Sequence, residues 1–391
     1  MNIAIIGTGF VADYYMTTLV NHRELTLLGA FDRDNAALAR FAGHHRVKAY
    51  SSADALLADQ DVQLVLNLTT PESHFAVSQA ALHAGKHVYS EKPLAMEMGQ
   101  ARALVALAEA NGLSLSSAPA TVLGEAAEAA WTAIAAGRIG QVRLVYAEME
   151  DGMVFRDGWQ GWTSTSGAPW PGRHEFEIGC TLEHAGYYLT WLCAFFGPAR
   201  EVQAFSTRLF DDKGTGQKPA TLAADYSVAN IVFANGVVAR LTCGLAAARD
   251  RSMQIVGDDG SIIIEDGWNS RSPVWLVHPR HEGESLGARL RRVAVERLNR
   301  VLPGRLWAGS RLQLRPARLA LPAYPSQIDF MRGPAEQARA ISERRLPRLS
   351  SAFALHITEL ALAIQHASTQ NGSVRLTSHF AALQPQAHPS R

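Results

Sequence analysis

The feature that most limits the fold of this chain is its first dozen residues. Asn2-Ile3-Ala4-Ile5-Ile6 is an apolar run of strand length, and Gly7-Thr8-Gly9-Phe10-Val11-Ala12 follows it directly into a helical pattern. That order is the strand, G-x-G-x-x-A turn and helix of a dinucleotide-binding unit: the first glycine permits the turn, the second lets a pyrophosphate approach, and the small third residue packs helix on sheet. A phosphate then sits on the helix N-terminus, against Gly7, Thr8, Gly9, Phe10 and Val11. The second strand, Leu25 to Phe31, ends at Asp32, at the distance expected of a ribose-binding carboxylate. Asp32 favours NAD because it repels a 2′-phosphate. Arg33 beside it is able to take that phosphate by charge-assisted bonds, so NADP stays open.

Strand and helix keep alternating. Asp34 caps a helix through Phe41, Ser51 or Ser52 caps one through Ala58, and Gln63 to Asn67 is an apolar strand. Thr69-Thr70-Pro71 follows, with Thr70 as N-cap and Pro71 as first residue of a helix to Ala84 that closes at Gly85. His74, one turn inside, either faces the nicotinamide end of the cleft or is a satisfied surface histidine. The next strand, His87 to Tyr89, stops abruptly at Glu91-Lys92-Pro93-Leu94-Ala95. Lys92 therefore lies just beyond a strand's carboxyl end, where open α/β sheets bind ligands. Pro93 holds it extended and is able to introduce a cis bond. A lysine so held donates to a substrate oxygen and lowers a neighbour's pKa. After a helix from Gln100 to Asn111 and a strand from Leu113 to Ser117, the alternation ends at Ala118-Pro119-Ala120. A Rossmann unit over residues 1–120 and a second domain over 121–391 are expected.

The second half has longer, alternating strands. A helix from Glu125 to Ala136 precedes strands at Val142 to Glu150, Glu201 to Arg208, Tyr226 to Phe233 and Val237 to Cys243, the last two joined by Asn235-Gly236, a type I′ hairpin signal. Met253 to Val256 and Ser261 to Glu265 flank another tight turn. An open, mostly antiparallel sheet is the expected product. Gly179 to Phe196, closed by Gly197, is the one strong helix among these strands; helices near Gln327 to Ser342 and Ser351 to Ser368 and a polar tail from Pro385 end the chain. With 391 residues there is material for two cores. A net charge of +1 supplies no argument for nucleic acid, and three unclustered cysteines suggest neither a disulfide framework nor a metal site. No apolar run reaches the roughly 18 residues of a membrane span, and the chain starts in a core strand rather than a leader. A cytoplasmic enzyme is expected.

The strand-G-x-G-x-x-A start, Thr70-Pro71 with His74, Glu91-Lys92-Pro93-Leu94-Ala95, Asp329-Phe330 and a Gly-containing helix after the first long strand together resemble the Gfo/Idh/MocA oxidoreductases. The resemblance implies an N-terminal Rossmann domain, a C-terminal sheet domain bearing the substrate cleft and often an oligomer face, and hydride transfer at a sugar or cyclitol carbon. It implies a homo-oligomer, dimer or tetramer, and for Lys92 a role in substrate binding and proton transfer, with Thr69, Thr70, Pro71, His74 and Glu91 near the cofactor. The family usually carries an Asp and a His four residues apart on the substrate-domain helix, with a Gly between them. Aligned on Gly186, those positions hold His184 and Tyr188, which share a helix face at that spacing. Tyr188 transfers the proton if a nearby ammonium lowers its pKa; the rival is His184 as base with Tyr188 orienting substrate, or Tyr188, beside Tyr187 in an aromatic helix, only packs. Glu183 shifts either pKa or simply faces Arg or solvent.

Upstream, Trp159 to Pro171 is rich in Trp, Ser and Thr, and Arg173, His174 and Glu175 follow. Trp162 and Trp170 suit the C–H faces of a sugar and the polar residues its hydroxyls, or the tryptophans plug the domain interface. Finally, Arg280 to Arg318 holds ten Arg against three Glu. Leu286, Leu290, Val293 and Leu298 between arginines suggest a basic amphipathic helix. It would hold phosphates of a nucleotide sugar, meet an anionic membrane, make a subunit contact, or be merely a solvated face.

Overall fold

A computed structural model of the chain describes residues 1–278, 286–300, 307–315, 319–323, 325–367 and 372–385. Two sheets organise it. Strands β1 (Asn2–Ile6), β2 (Thr26–Phe31), β3 (Leu64–Asn67), β4 (His87–Ser90) and β5 (Leu115–Ser117) form a parallel sheet in the order β2-β1-β3-β4-β5. Helices α1 (Phe10–Leu19), α2 (Asn35–His45), α3 (Ala53–Ala58), α4 (His74–His83) and α5 (Met98–Ala110) connect them. Every residue of β3 is buried, as a strand between two helical layers must be. The strand order reverses between β1 and β3, so their carboxyl ends open the crevice where such sheets bind ligands. The local signals act as expected: Asp34 accepts from Ala36 and Ala37 N–H at 2.8 and 3.3 Å, and Ser52 from Ala55 at 3.0 Å.

After α6 (Glu125–Ala135) comes a larger sheet. Strands β6 (Val142–Glu150), β7 (Ala199–Thr207), β8 (Tyr226–Phe233) and β9 (Val238–Gly244) are joined by β10 (Met253–Gly257), β11 (Ser261–Ile264) and β12 (Val274–Val277). With β13 (Ser310–Arg311) and β14 (Ser373–Arg375) they make nine strands in the order β13-β12-β11-β10-β6-β9-β8-β7-β14. Among the described residues of this sheet only β6 and β9 pair in parallel. Between β6 and β7 lie α7 (Gly172–Ile178) and α8 (Gly186–Phe196); α9 (Leu286–Leu298), α10 (Arg332–Ser342) and α11 (Ser351–Gln365) follow later. α8 and α11 cover one face of this sheet. The other leaves Tyr146 37% and Phe205 55% exposed.

Three local details depart from the expectations. At Asn235-Gly236 only the glycine is left-handed (φ 87°), and Phe233 N bonds Val237 O at 2.9 Å. A three-residue connection with one left-handed glycine replaces the type I′ turn. The helix begun at Pro71 opens as a short 3₁₀ turn before α4. The strong helix of Gly179 to Phe196 is not uniform: Gly179 breaks it from α7 at φ 92°, and Thr181–Ala185 is a π-helical turn leading into α8. α10 also leaves the second sheet for the first, where Gln337 donates to Val88 O at 2.9 Å and Gly333 packs on Tyr89 so closely that a Cβ would fall 2.2 Å from its hydroxyl. The helix end at Ser368, parts of the Arg280 to Arg318 segment and the tail after Pro385 lie outside the described residues.

Candidate active site

The nucleotide cradle follows from the G-x-G-x-x-A turn. Gly7 is left-handed (φ 99°), and a Cβ there would lie 2.5 Å from Leu68 O, so only glycine fits. Gly9 caps α1 without a side-chain bond, and a Cβ on it would meet nothing within 4 Å. The space before the helix N-terminus is therefore free for a pyrophosphate, which its N–H groups favour. Ala12 is wholly buried, seating the helix on the sheet. Asp32 is held by Thr8 N and Oγ1 at 2.6 and 3.0 Å and by Asp34 N at 2.9 Å, at the carboxyl end of β2. Arg33 beside it is exposed. Phe10 meets Tyr14 edge-on at 5.3 Å, with Val11 half-buried next to it. Thr69 donates to Asn67 Oδ1 at 2.6 Å, while Thr70 and the buried Pro71 turn the chain after β3. These residues fit a dinucleotide: α1 would hold its pyrophosphate, Asp32 a ribose.

The Glu91-Lys92-Pro93 loop leaves β4 beside that cradle, with a cis Lys92–Pro93 bond. Glu91 is turned inward and braces the loop, accepting from Tyr15 OH at 2.7 Å and Lys92 N at 3.1 Å. His74 is neither in the cleft nor on the surface. Wholly buried, it lies 2.7 Å from Pro93 O and 3.0 Å from Thr69 O and pins two loops together, and burial pushes its pKa down against the pull of those two carbonyls. What the loop presents is Lys92. Its Nζ donates to Glu183 across the cleft, its side chain keeping 17% exposure against 9% for Glu183. Burial alone would lower its pKa, but Glu183, Tyr187, Glu175 and Glu91 outweigh that and raise it well above the usual lysine range. The ammonium stays charged.

The π-helical turn decides which residues meet Lys92. A π turn holds more residues per revolution than an α turn, so the faces read from Gly186 move by one. Glu183, not His184, meets the ammonium, and Tyr187 rather than the buried Tyr188 lies within reach of its charge. Tyr188 is wholly buried on the far side, where its hydroxyl donates to Arg251 O at 2.5 Å and its ring stands perpendicular to Trp191 at 5.7 Å. It is a core residue. Tyr187 is only half-buried and stacks at 4.8 Å on Trp268. Burial pushes its phenol pKa up, as do Glu91, Glu183 and Glu175, against the pull of Lys92.

His184 turns to a different partner. Its Nε2 lies 2.9 Å from Glu175 Oε1, and its buried Nδ1 has no hydrogen-bond partner among the described residues. Burial lowers its pKa, but the bond and charge of Glu175 win and hold it above the usual histidine value. Glu175 is correspondingly lowered: His184 and Lys92 overcome the opposing effect of burial. Glu183 goes the other way, raised by burial and then by Glu175, with Lys92 opposing.

The remaining candidates lie outside this cluster. Arg173 is 67% exposed and pairs with Glu177 at 3.5 Å. His174 reaches Glu72 in the nucleotide half at 2.7 Å. Trp162 and Trp170 pack on each other at 5.0 Å, and Trp170 on Phe176 at 6.0 Å, so their faces are spent internally. Their loop is latched to the nucleotide half: Ser164 Oγ donates to Asp13, and Ser166 donates to the same carboxylate from N at 3.0 Å and Oγ at 2.8 Å. Sequence reasoning missed Tyr187, although it stands four residues after Glu183. It also missed Trp268, whose ring lies 5.4 Å from His184 and under the Arg251 guanidinium at 4.7 Å. A lone tryptophan after β11 carries no motif that would have flagged it.

Residues 1–118 match the oxidoreductase family with NAD-binding Rossmann fold, and residues 128–263 match the GFO/IDH/MocA C-terminal domain. The two matches take in well over half of the chain, which belongs to the GFO/IDH/MocA oxidoreductases and is NAD-binding. A trans-1,2-dihydrobenzene-1,2-diol dehydrogenase of Bos taurus is 25% identical over 70% of this chain and 76% of its own length. A UDP-N-acetylglucosamine 3-dehydrogenase of Acidithiobacillus ferrooxidans is 33% identical over 30% of this chain and 36% of its own. Among solved structures, an NAD binding oxidoreductase from Klebsiella pneumoniae superposes with a TM-score of 0.75 at 18% identity, covering 97% of this chain and 99% of that one. Among the described residues no helix is long and apolar enough to cross a membrane, and no cluster of His, Cys, Asp and Glu is arranged to hold a metal.

Proposed function

We propose that this protein is an NAD(H)-dependent dehydrogenase or reductase acting at a carbinol or carbonyl carbon of a sugar, cyclitol or related polyhydroxylated ring. The observation that carries this reading is the Lys92 ammonium paired with Glu183 beside the nucleotide cradle, with Tyr187 within reach of its charge. Bound nicotinamide supplies the hydride transfer. Lys92 orients the substrate oxygen and offsets the charge that develops on it. Tyr187 moves the proton at that oxygen. Its phenol carries the proton at neutral pH, and the Lys92 ammonium opposes the rise that burial and the neighbouring carboxylates impose on its pKa. His184, braced by Glu175, offers its free ring nitrogen to a neighbouring hydroxyl, and Trp268 supplies an aromatic wall. The relatives that act on a dihydrodiol and on a nucleotide sugar support a hydroxylated ring as substrate. Asp32, held by Thr8, supports NAD over NADP.

The exposed Phe205 and Tyr146 on the uncovered sheet face support a homo-oligomer, and three free, buried cysteines fit a cytoplasmic, reducing compartment. The test is a titration of the purified protein with NAD(H) and NADP(H), then an absorbance screen at the NADH band with sugars, inositols, dihydrodiols and sugar nucleotides in both directions. Stoichiometric change in NADH with one compound is the expected result. Tight binding without net turnover moves the assignment to a redox-neutral glycosidase if a glycoside is cleaved, and to a dinucleotide sensor if none is.

A further inference from the structure

We propose that α9 is an amphipathic helix that docks this protein onto an anionic phospholipid surface. Leu286, Leu290, Ala294 and Leu298 recur every four residues along it, and all four are exposed. The three leucines keep 72%, 61% and 43% of their surface in water. Residues at that spacing fall on one side of a helix, so they form a continuous apolar ridge. Arg289 and Arg297, also exposed, flank it.

The charge of the whole chain points to the occupant. Residues 280–318 hold ten Arg, three Glu and neither Lys nor Asp, a formal charge of +7, so the rest of a chain with net charge +1 carries −6. The basic character is therefore concentrated in the segment that bears the ridge. It lies beyond residues 128–263 that match the family's C-terminal domain, and α9 enters between β12 and β13 at the outer edge of the large sheet. A polyanion such as nucleic acid would use the arginines and leave the leucines in water. A second copy of α9 would bury the leucines but set arginine against arginine. An anionic bilayer takes both, apolar ridge into the acyl boundary and guanidinium groups among the headgroups. At 13 residues the helix is too short to span and would lie in the membrane plane.

The experiment is co-sedimentation of the full chain with vesicles of phosphatidylcholine alone and of phosphatidylcholine with phosphatidylglycerol in equal parts. Pelleting only with the anionic vesicles, fading as salt rises, is expected. Leu286→Glu with Leu290→Glu should abolish it while NAD(H) binding and melting temperature stay at wild-type values, because both side chains are already exposed. Arg289→Gln with Arg297→Gln should weaken binding by about fivefold per arginine. The proposal is overturned if the wild type stays in the supernatant with anionic vesicles at low salt. It is also overturned if the leucine double variant pellets undiminished, or if that variant instead converts an oligomer to a smaller species in analytical ultracentrifugation without lipid.

Discussion

The nucleotide half and the C-terminal half carry their candidate site residues on different kinds of backbone. In the first, each group follows the end of a regular strand: Gly7 after β1, Asp32 after β2, Thr69 shortly after β3 and Lys92 shortly after β4. Their positions follow from strand lengths and one tight turn. In the second, Glu183 and His184 sit on a π-helical turn wedged between a left-handed glycine and α8. One additional residue in that turn decides which tyrosine faces the lysine. A site built on strand ends is readable from spacing alone, whereas a site on an irregular helix is readable only once the local winding is known.

Three substitutions probe that contrast, in order of expected effect. Lys92→Ala removes the cation that the nucleotide half presents to Glu183 and should lower kcat/KM by about 10³-fold, within the range of a lost charge-stabilising donor. Unchanged kcat/KM would place the chemistry elsewhere. Gly7→Ala tests the strand-end rule: its Cβ would meet Leu68 O at 2.5 Å on a left-handed backbone, so stability should fall by on the order of 3 kcal/mol. NAD(H) binding should fall with it, as chemical denaturation and titration would report. Intact binding and stability would mean that the turn tolerates a side chain.

Glu175→Gln addresses the C-terminal half through pH. His184 is held above its ordinary value by Glu175. The stability it contributes is thus fully present below the unfolded histidine value of about 6.5 and is lost as pH rises through the folded one. The variant should therefore lose most melting temperature near about pH 6 and approach wild type in alkaline solution. A difference that grows with pH would contradict the pairing.

How much was legible in the sequence follows the same division. The G-x-G-x-x-A turn, Asp32, the caps at Asp34 and Ser52 and the position of Lys92 were all readable, because each depends on a few neighbouring residues. β6 was readable to its ends because Val145, Ala147 and Met149 alternate inward along most of its length. His74 was not, since its two carbonyl partners, on Thr69 and Pro93, come from separate loops. The return of α10 to the first sheet was not either, because Gln337 meets Val88 across a sequence separation of 249 residues. The short strands β12 to β14, at or next to the edges of the large sheet, carry too few residues for a period to show. The π turn hides for a related reason: Thr181 to Ala185 is compatible with an ordinary α-helix, and only tertiary contacts of Glu183 and His184 with Lys92 and Glu175 select the wider winding.

The central claim is that Tyr187, rather than its neighbour, exchanges the proton beside Lys92. The most direct measurement compares turnover and thermal stability of Tyr187→Phe and Tyr188→Phe with the substrate found in the NADH screen. Tyr187→Phe should lose about 10²-fold or more in kcat with wild-type stability. Tyr188→Phe, which gives up a buried bond to Arg251 O, should keep its kcat and lose about 1 kcal/mol of stability. Full turnover in Tyr187→Phe together with collapsed turnover in a stably folded Tyr188→Phe would contradict the account.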